Sequence, residues 1–527
     1  MQTLTVGSTL YYLPETIDDA KSLIRQAKHD NKTIVMRGAG HSFPMTPEIE
    51  ANNECIHVML TYLNKITSMD WDTGLVTVQA GCHLGLDPYD PAAVSTLDNS
   101  FLFQTDPITE KGNRDTPPGW SVSDLGGIIH QTIGGFSATS SSGGSVKYAF
   151  EDAIVSVRIL YHDDNDVVDK VFTKPANGDP DDPFWGLGYA HLGVMGMMVE
   201  MTLQLERAFN IAGTETTGYV TDCEVDLFGP GSASKPSLQQ FLTQTEYTRL
   251  LWWPQPGVDK IVLWQAKRTD ASDWKTFVPK PYQEVPWVDG SPTPATAVSD
   301  AIFSFLGKVS GGVDHFMQRW FGKTNAEKNE IHEMIAKADD WLLKLLLKVF
   351  AKPGVQSFQD IGWKGIPMDN QMSDKLMETW FTELWIPIEK TQEVMNSMKQ
   401  FYEDPVNAGT FCCEIYAAKN SRFWLNPAYG TNVIRLDVFW FAKNDEKPVD
   451  YFKRFWKQLA PFQYRCHWGK YLPAADSEQG ADYLQARYPK FEQFNELRKK
   501  MDPYDVFLNP YWKEHLQLET LELNAVL

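Results

Sequence analysis

The spacing of apolar and polar residues in the first two hundred positions predicts short strands that alternate with short helices. Thr16 is a typical N-cap, and Asp19 three positions later completes the capping-box pattern. The apolar positions that follow on one helical face are Ile17, Ala20, Leu23, Ile24 and Ala27. Strands are predicted at 11–14, 33–37, 74–81, 153–161 and 197–205, where β-branched and apolar residues are enriched.

Beyond residue 207 the pattern changes to longer loops, which indicates a domain boundary. Strands are predicted in this second region at 248–254, 260–265, 378–386, 412–417 and 433–441. A proline-rich stretch from Val278 to Pro294 precedes a predicted helical insertion over 297–352. Lys344, Lys348 and Lys352 form an i, i+4, i+8 stripe at its end, and we interpret this segment as a helix packing on its own domain. A lid over an apolar substrate or a membrane-surface contact is the alternative.

Composition narrows the class of protein. The chain has 527 residues, enough for two or three domains, and 18 tryptophans that favour a large core and an aromatic pocket. A formal net charge of −20 argues against binding to nucleic acid or anionic lipid.

No apolar stretch is long enough to span a bilayer and no secretory signal is evident, so a cytoplasmic protein is predicted, unless a signal has been trimmed from the chain. Neither a monomer nor a dimer is favoured.

The six cysteines show no metal-binding or disulfide-scaffold spacing. They lack any CxxC pair, and no metal site is predicted from them. We expect six buried thiols at Cys55, Cys82, Cys223, Cys412, Cys413 and Cys466.

A short glycine-rich segment at a predicted strand end is the first candidate for chemistry. It runs Arg37-Gly38-Ala39-Gly40-His41-Ser42, and its glycines allow the backbone to approach a bound group closely. Taken alone, the segment is more typical of a tight turn with an exposed histidine.

Two further glycine-rich segments argue against that simple turn. Residues 124–145 combine glycines and small hydroxyl residues, which suit a pyrophosphate, with interleaved Ile128, Ile129, Ile133 and Phe136, which favour a packed loop over a flexible linker. Residues 184–188 and 192–196 lead into the strand predicted at 197–205. Neither a GxGxxG after a first strand nor a GxxxxGK[ST] is present, so a Rossmann or P-loop site is not predicted.

In this order and spacing, the three segments resemble the FAD-binding domain of the vanillyl-alcohol oxidase superfamily. The R-G-x-G-H-S element is similar to that of the subgroup in which the histidine carries the flavin through an 8α bond, which implies covalent FAD on His41. The resemblance implies FAD contacts at Arg37, Gly38, Ala39, Gly40, His41 and Ser42, at Gly134, Gly135, Ser137, Thr139, Ser140, Gly143 and Gly144, and at Gly193, Gly196 and Val199.

Motifs in the C-terminal half are similar to those of the aldonolactone and alditol oxidase branch. They are His467-Trp468-Gly469-Lys470, a turn at 425–430 and a closing motif over 502–509 that contains Asn509. The resemblance places His467, Lys470 and Asn509 near the flavin, with Lys470 as a cation that stabilises the reduced flavin. Glu414 matches the glutamate of the branch's E-x-R element at the substrate face. By sequence alone, Lys470 is also compatible with a surface lysine and Glu414 with an exposed charge.

The resemblance implies an α+β fold with a two-subdomain PCMH-type FAD-binding domain and an α+β substrate-binding cap with a large antiparallel sheet. The predicted division is 1–207 for the FAD-binding domain, 208–480 for the cap, and 481–527 for a segment returning to the FAD domain. The family resemblance covers about 1–265 and 375–512, so 266–374 is predicted to be an insertion.

Departures from the branch bear on the substrate. Tyr416 stands where the branch has the arginine of E-x-R, and Phe136, Asp437 and Phe439 stand where polyol oxidases use serine, histidine and threonine. Unpaired polyol hydroxyls in such a pocket would each cost about 1–3 kcal/mol. We therefore predict a small, moderately apolar alcohol or lactol as substrate, with Glu414 or Asp437 as proton acceptor and Tyr416 as a relay.

The predicted reaction is hydride transfer from a CH–OH carbon to flavin N5, with O2 as the electron acceptor. Alternatives within the fold are a sugar-lactone or alditol oxidase, a sterol-type bulky-alcohol oxidase, and a dehydrogenase with another acceptor. A flavin-fold binding protein without turnover is the alternative from a different class, because the arginine of E-x-R is missing.

Overall fold

A computed structural model describes residues 1–42, 55–255, 258–282, 353–369, 379–404, 407, 412–441 and 446–518. The predicted helical insertion over 297–352, including its lysine stripe, lies outside the described residues.

The N-terminal part begins with a small mixed sheet covered by a helix. Strands β1 (Gln2–Val6), β2 (Thr9–Leu13), β3 (Thr33–Arg37) and β4 (Cys55–Met59) lie in the order β1-β2-β4-β3. Helix α1 (Ile17–His29) has the predicted capping box, since the Thr16 side chain accepts from the backbone N–H of Asp19 and the Asp19 carboxylate accepts from the N–H of Thr16. Four of the five predicted apolar positions of α1 are buried. The buried face of α1 packs in one core with Ile34 of β3, the strand that leads to His41.

A second, antiparallel sheet completes the N-terminal part. Its strands β5 (Ile66–Asp70), β6 (Leu75–Gln79), β8 (Ile154–His162), β9 (Val167–Thr173) and β10 (Met197–Gln204) lie in the order β5-β6-β10-β8-β9. The short strands β7 (Trp120–Ser121) and β11 (Glu206–Arg207) pair with each other at its end.

The second part is built on an eight-stranded antiparallel sheet. Its order is β15-β12-β14-β13-β17-β18-β16-β19. The strands are β12 (Asn210–Tyr219), β13 (Tyr247–Trp253), β14 (Lys260–Thr269), β15 (Gly354–Ile361), β16 (Thr379–Pro387), β17 (Cys413–Ala418), β18 (Val433–Phe441) and β19 (Arg465–Cys466). The α+β fold class with a large antiparallel sheet is confirmed.

Ten further helices follow α1 in the described part of the chain. They are α2 (Phe101–Thr105), α3 (Ile133–Ala138), α4 (Phe184–Leu187), α5 (Leu238–Gln244), α6 (Gly362–Gly365), α7 (Thr391–Phe401), α8 (Pro448–Leu459), α9 (Ala481–Ala486), α10 (Phe491–Met501) and α11 (Pro510–His515). After α10 the chain returns to the first sheet, where Ile34 donates to the carbonyl of Val506 over 2.6 Å. Among all these elements, none is a helix long and apolar enough to cross a bilayer.

The segment 266–374, predicted to be an insertion relative to the family, contributes to the large sheet where it is described. Strand β14 continues to Thr269, and β15 pairs with β12 along eight residues. The predicted free cysteines are confirmed, since all six are buried and unbonded to one another.

Candidate active site

The first two glycine-rich segments meet at the end of β3. A Cβ added to Gly38 would lie 2.7 Å from the Oγ1 of Thr132 and 3.5 Å from the Cα of Gly135. Thr132 caps α3 by accepting from the N–H of Gly135 over 3.1 Å. The glycines therefore let the two backbones approach closely, as close binding of an extended ligand requires.

The H-W-G-K segment reaches the same place from the second part of the chain. A Cβ added to Gly469 would lie 3.2 Å from the Oγ of Ser42 and 3.3 Å from the Cβ of Thr139. The imidazole of His41 lies 5.9 Å from that of buried His130, measured between ring centroids. Three sequence motifs that are far apart along the chain thus form one junction.

Residues 137–144 line this junction mainly through backbone and small side chains. Ser137 is fully buried and donates to the carbonyl of Gly134 over 3.0 Å. The Oγ of Ser140 is also buried and makes no hydrogen bond within the described residues. Gly143 donates its N–H to Asp124 over 3.0 Å, and a Cβ on Gly144 would lie 2.0 Å from the carbonyl oxygen of Thr248. This loop is packed, as predicted, and it leaves a hydrogen-bonding hydroxyl unused by the protein.

The other predicted flavin contacts have clear local roles in the structure. Gly193 adopts a φ of +70° and donates its N–H to the Nδ1 of His191. A Cβ on Gly196 would lie 2.6 Å from Ile159, so this glycine permits close packing. Val199 has no exposed surface, so its side chain can support the site only through packing. Asn509 caps α11 by accepting from the N–H of Trp512.

One face of the eight-stranded sheet carries the candidate catalytic residues in three rows, since cross-strand partners share a face and side chains two apart on a strand repeat it. The acidic row consists of the cross-strand neighbours Glu414, Asp437 and Glu383. On one side lies an aromatic–cationic row of Tyr416, Arg435 and Trp385, and on the other an apolar row of Phe439 and Phe381.

Cations bind the acidic row directly. The Nζ of Lys470 lies 2.7 Å from the Oε2 of Glu383 and also donates to the Oδ2 of Asp437. The Nε of Arg435 contacts the Oε1 of Glu383 at 2.5 Å. Glu414 accepts from the Nε of Arg249 on β13. Lys470 is therefore part of a buried network and is not a surface lysine.

Burial and these charges shift the pKa values of the network. Burial raises the pKa of Asp437 to about 8, although Lys470 opposes the shift. Burial would also raise the pKa of Glu383, but Arg435 and Lys470 hold that pKa well below its usual range. Burial would lower the pKa of Lys470, but Asp437 and Glu383 raise it above the ordinary lysine value. Burial lowers the pKa of His467 to about 3, so its imidazole is neutral.

Arg435 stands against the tyrosine that replaces the arginine of the E-x-R element. Its guanidinium lies 3.8 Å from the ring centroid of Tyr416 and donates to the Tyr416 hydroxyl over 2.8 Å. It also donates to the carbonyls of Ser142 and Gly143. A cation from the neighbouring strand therefore contacts Tyr416 and holds its hydroxyl group.

The aromatic residues expected to line the pocket divide into two groups. Phe136 has no exposed surface and packs 4.8 Å from the ring of Phe150, so it lies in the core and cannot contact a ligand in this conformation. Phe439 is only half-buried and lies 5.7 Å from Phe381, whose ring lies 5.1 Å from the Lys470 ammonium. This second pair offers an apolar surface beside the charged network in the described part of the chain.

Sequence reasoning missed Arg249, Arg435 and Glu383. Each is a charged residue inside a predicted strand that is mostly apolar. Charged side chains are almost never fully buried unless they are paired, so these positions could have been marked as candidates for buried ion pairs. Which charges meet depends on the strand pairing, which the sequence does not give.

Comparisons with known proteins agree with this geometry. The family described as D-arabinono-1,4-lactone oxidase matches residues 235–515, more than half of the chain, and the FAD binding domain matches residues 8–86. L-gulonolactone oxidase of Mus musculus is 20% identical over 95% of this chain and 94% of its own length. D-arabinono-1,4-lactone oxidase of Candida glabrata is 25% identical over 50% of this chain and 42% of its own length.

Among solved structures, cholesterol oxidase from B. sterolicum has a similar fold. It superimposes with a TM-score of 0.67 at 15% identity, and the match covers 96% of this chain and 94% of that protein. At this identity the likeness is one of fold alone.

Proposed function

Because the chain belongs to the D-arabinono-1,4-lactone oxidase family and is an FAD-dependent oxidoreductase of the oxidase type, we propose that its flavin is attached covalently to His41. We further propose that it oxidises a CH–OH carbon of a small, moderately apolar alcohol or lactol, with O2 reduced to H2O2. The observation that carries the proposal is the junction of Ser42, Thr139 and Gly469 next to the Lys470 network.

The residues of the junction fit a bound FAD. Glycines at 38, 135, 143 and 144 let protein segments pack closely around the junction, because a Cβ there would meet neighbouring protein atoms, and the buried hydroxyl of Ser140 lacks a protein partner among the described residues. Arg37, Ala39, Gly40, Ser42, Gly193 and His467 complete the proposed binding set. When bound, FAD supplies the acceptor for the hydride of the substrate carbon.

The protein's own residues stabilise developing charge and accept the substrate proton. Lys470 holds a positive charge beside the acidic row, which favours negative charge developing on a bound ring. Glu414 is the better placed proton acceptor, because its side chain remains 8% exposed whereas that of Asp437 is 1% exposed. Tyr416, held by Arg435, is a positioning group beside it.

The apolar row supports the proposed substrate class. Phe439 and Phe381 offer ring surface next to Lys470 but no hydrogen-bonding group for additional hydroxyls. A sugar lactone is the second candidate, because the similar L-gulonolactone and D-arabinono-1,4-lactone oxidases are named for sugar lactones.

Peroxide release from the purified protein distinguishes these candidates. A panel should contain simple aromatic and aliphatic alcohols, sterols, sugar lactones and sorbitol, each added at equal concentration. We expect the apolar alcohols to give the highest kcat/KM. A higher kcat/KM for sugar lactones would establish the second candidate, and faster oxidation of sorbitol than of every apolar alcohol would contradict both.

Acid precipitation tests the covalent bond. Wild-type protein should carry yellow flavin into the pellet, whereas His41→Ala should release all its flavin to the supernatant and turn over more slowly. His29→Ala, a variant of a largely exposed histidine, is the matched control and should retain flavin like wild type. Flavin that leaves the wild-type pellet would contradict the bond to His41.

A further inference from the structure

The buried network around the acidic row has more carboxyl groups than cations. Within the described residues, Glu414, Asp437 and Glu383 are joined by Asp369, which contacts the Arg249 guanidinium at 2.5 Å. These four carboxyls face three cations, namely Arg249, Arg435 and Lys470. An ionised carboxylate without its own cation is strongly disfavoured in a buried setting.

The cations are distributed unevenly among the carboxyls. Both oxygens of Glu383 are bound, one by Arg435 and the other by Lys470. Glu414 has Arg249 as its direct partner.

Asp437 has the weakest charge compensation of the four carboxyl groups. It shares Lys470 with Glu383, and its Oδ1 is buried without a hydrogen-bond partner in the described part of the chain. A proton placed on Asp437 therefore removes the surplus charge at the carboxyl that shares its only cation and has one unpaired oxygen among the described residues.

We propose that Asp437 stays protonated in the working enzyme and acts as a positioning residue that preserves the positive charge of Lys470. With Asp437 neutral, Lys470 has a single anionic partner, Glu383, which also pairs with Arg435. Ionised Asp437 would cancel the field that Lys470 exerts on its surroundings. The consequence for catalysis rests on the proposed function, but the protonation state does not.

The groups that face Asp437 come from every neighbouring element. They are Glu414 and Cys413 on β17, Glu383 on β16, Arg435 on its own strand, and Lys470 after β19. Burial raises the pKa of Asp437 to about 8, and Glu383 and Glu414 act in the same direction against Lys470. Asp437 is thus neutral near pH 7 and ionises as the pH rises through about 8, so flavin reduction should slow over that range.

Infrared spectroscopy of the substrate-free holoenzyme tests the protonation state directly. Protein labelled with 13C at the aspartate carboxyl should show carboxylic-acid C=O absorption at pH 7 from Asp437 in addition to that of other buried aspartates such as Asp124. The difference spectrum of wild type minus Asp437→Asn should therefore contain a carboxylic-acid C=O band at pH 7 that is lost near pH 9. The same band should appear in the difference spectrum of wild type minus Glu383→Gln, because removing one carboxylate leaves three carboxyls for three cations. A spectrum of wild type minus Asp437→Asn without this band would overturn the proposal.

The pH profile of anaerobic flavin reduction gives the second readout. Asp437→Asn mimics the neutral acid, so its rate at pH 7 should fall only a few-fold and its decline above pH 8 should disappear. A loss of about a hundredfold or more at pH 7, the size expected for a proton-transferring group, would show that the carboxylate itself is needed. If no substrate reduces the flavin, the proposed function fails while the infrared band still decides the protonation of Asp437.

Discussion

The ammonium group of Lys470 lies between the carboxyl groups of Glu383 and Asp437 and beside an aromatic ring, with only 17% of its side chain exposed. A lysine in such a setting remains charged because anionic Glu383 and the accepting oxygen of Asp437 replace its lost hydration. Its place in the H-W-G-K segment puts it directly after Gly469, which lies against Ser42 and Thr139. One residue thus connects the charged network to the proposed flavin site.

Lys470→Met should lower kcat by about 10²-fold or more while KM changes much less, because the charge acts on the transition state and not on substrate binding. Steady-state peroxide release measures both constants. Lys419→Met, which removes a half-exposed lysine paired with Asp152, is the matched control and should behave like wild type. Equal activity of Lys470→Met and wild type would remove Lys470 from the site.

Glu414→Gln should reduce the rate of anaerobic flavin reduction by about 10²–10⁴-fold, the usual contribution of a general base. The amide can still accept a hydrogen bond from Arg249 but cannot take the substrate proton. Stopped-flow bleaching of the yellow flavin with saturating substrate measures this rate. A rate within a few-fold of wild type would leave another group as the acceptor.

Strand register decides which charged side chains meet, and this register could not be predicted from the sequence. Alternation and β-branched residues are local signals, and they located strands such as 433–441, which is found at Val433–Phe441. Local signals do not specify which strands pair. The Tyr416–Arg435 contact depends on the pairing of β17 with β18, so the sequence indicated that the arginine of E-x-R is missing but not that Arg435 lies beside Tyr416.

The sequence did not predict the strand β15 within 266–374, for a similar physical reason. Strand β15 is an edge strand, exposed over most of its first six residues, and its sequence GVQSFQDI lacks a clear apolar alternation. Polar edge strands are common because they resist further pairing. By contrast, the glycine-rich segments were found from their residue types, because close backbone approach requires glycine, and H-W-G-K was found from its resemblance to the aldonolactone and alditol oxidase branch.

Gly38→Ala should weaken FAD binding by separating β3 from the cap of α3. The new Cβ would lie 2.7 Å from the Thr132 hydroxyl that caps α3, so one of the two segments must shift. FAD titration in the His41→Ala background, where the flavin binds reversibly, should show at least a several-fold higher Kd. Gly218→Ala, with no atom within 4 Å of the added Cβ, is the control. Equal Kd values for both variants would contradict the role of Gly38.

The site lies where the two parts of the chain meet, and buried polar contacts hold them together. Arg435 of the large sheet donates to the carbonyls of Ser142 and Gly143, and Asn426 donates to buried Glu151 over 2.9 Å. Gly143 in turn donates to Asp124, which is fully buried. Protonation of these buried acids therefore bears on the stability of the whole molecule as well as on the site.

Asp124→Asn should make the stability of the protein less sensitive to alkaline pH. Burial raises the pKa of Asp124 from 3.8 to about 8, so the native state keeps a proton that the unfolded chain releases. Between about pH 4 and pH 8, unfolding then releases a proton, and stability falls as the pH rises. From pH 6.5 to pH 8 this group accounts for at most about 2 kcal/mol. Thermal midpoints at both pH values should fall less for Asp124→Asn than for wild type and for the control Asp152→Asn, whose side chain is half exposed. An equal fall in all three proteins would show that Asp124 does not hold this proton.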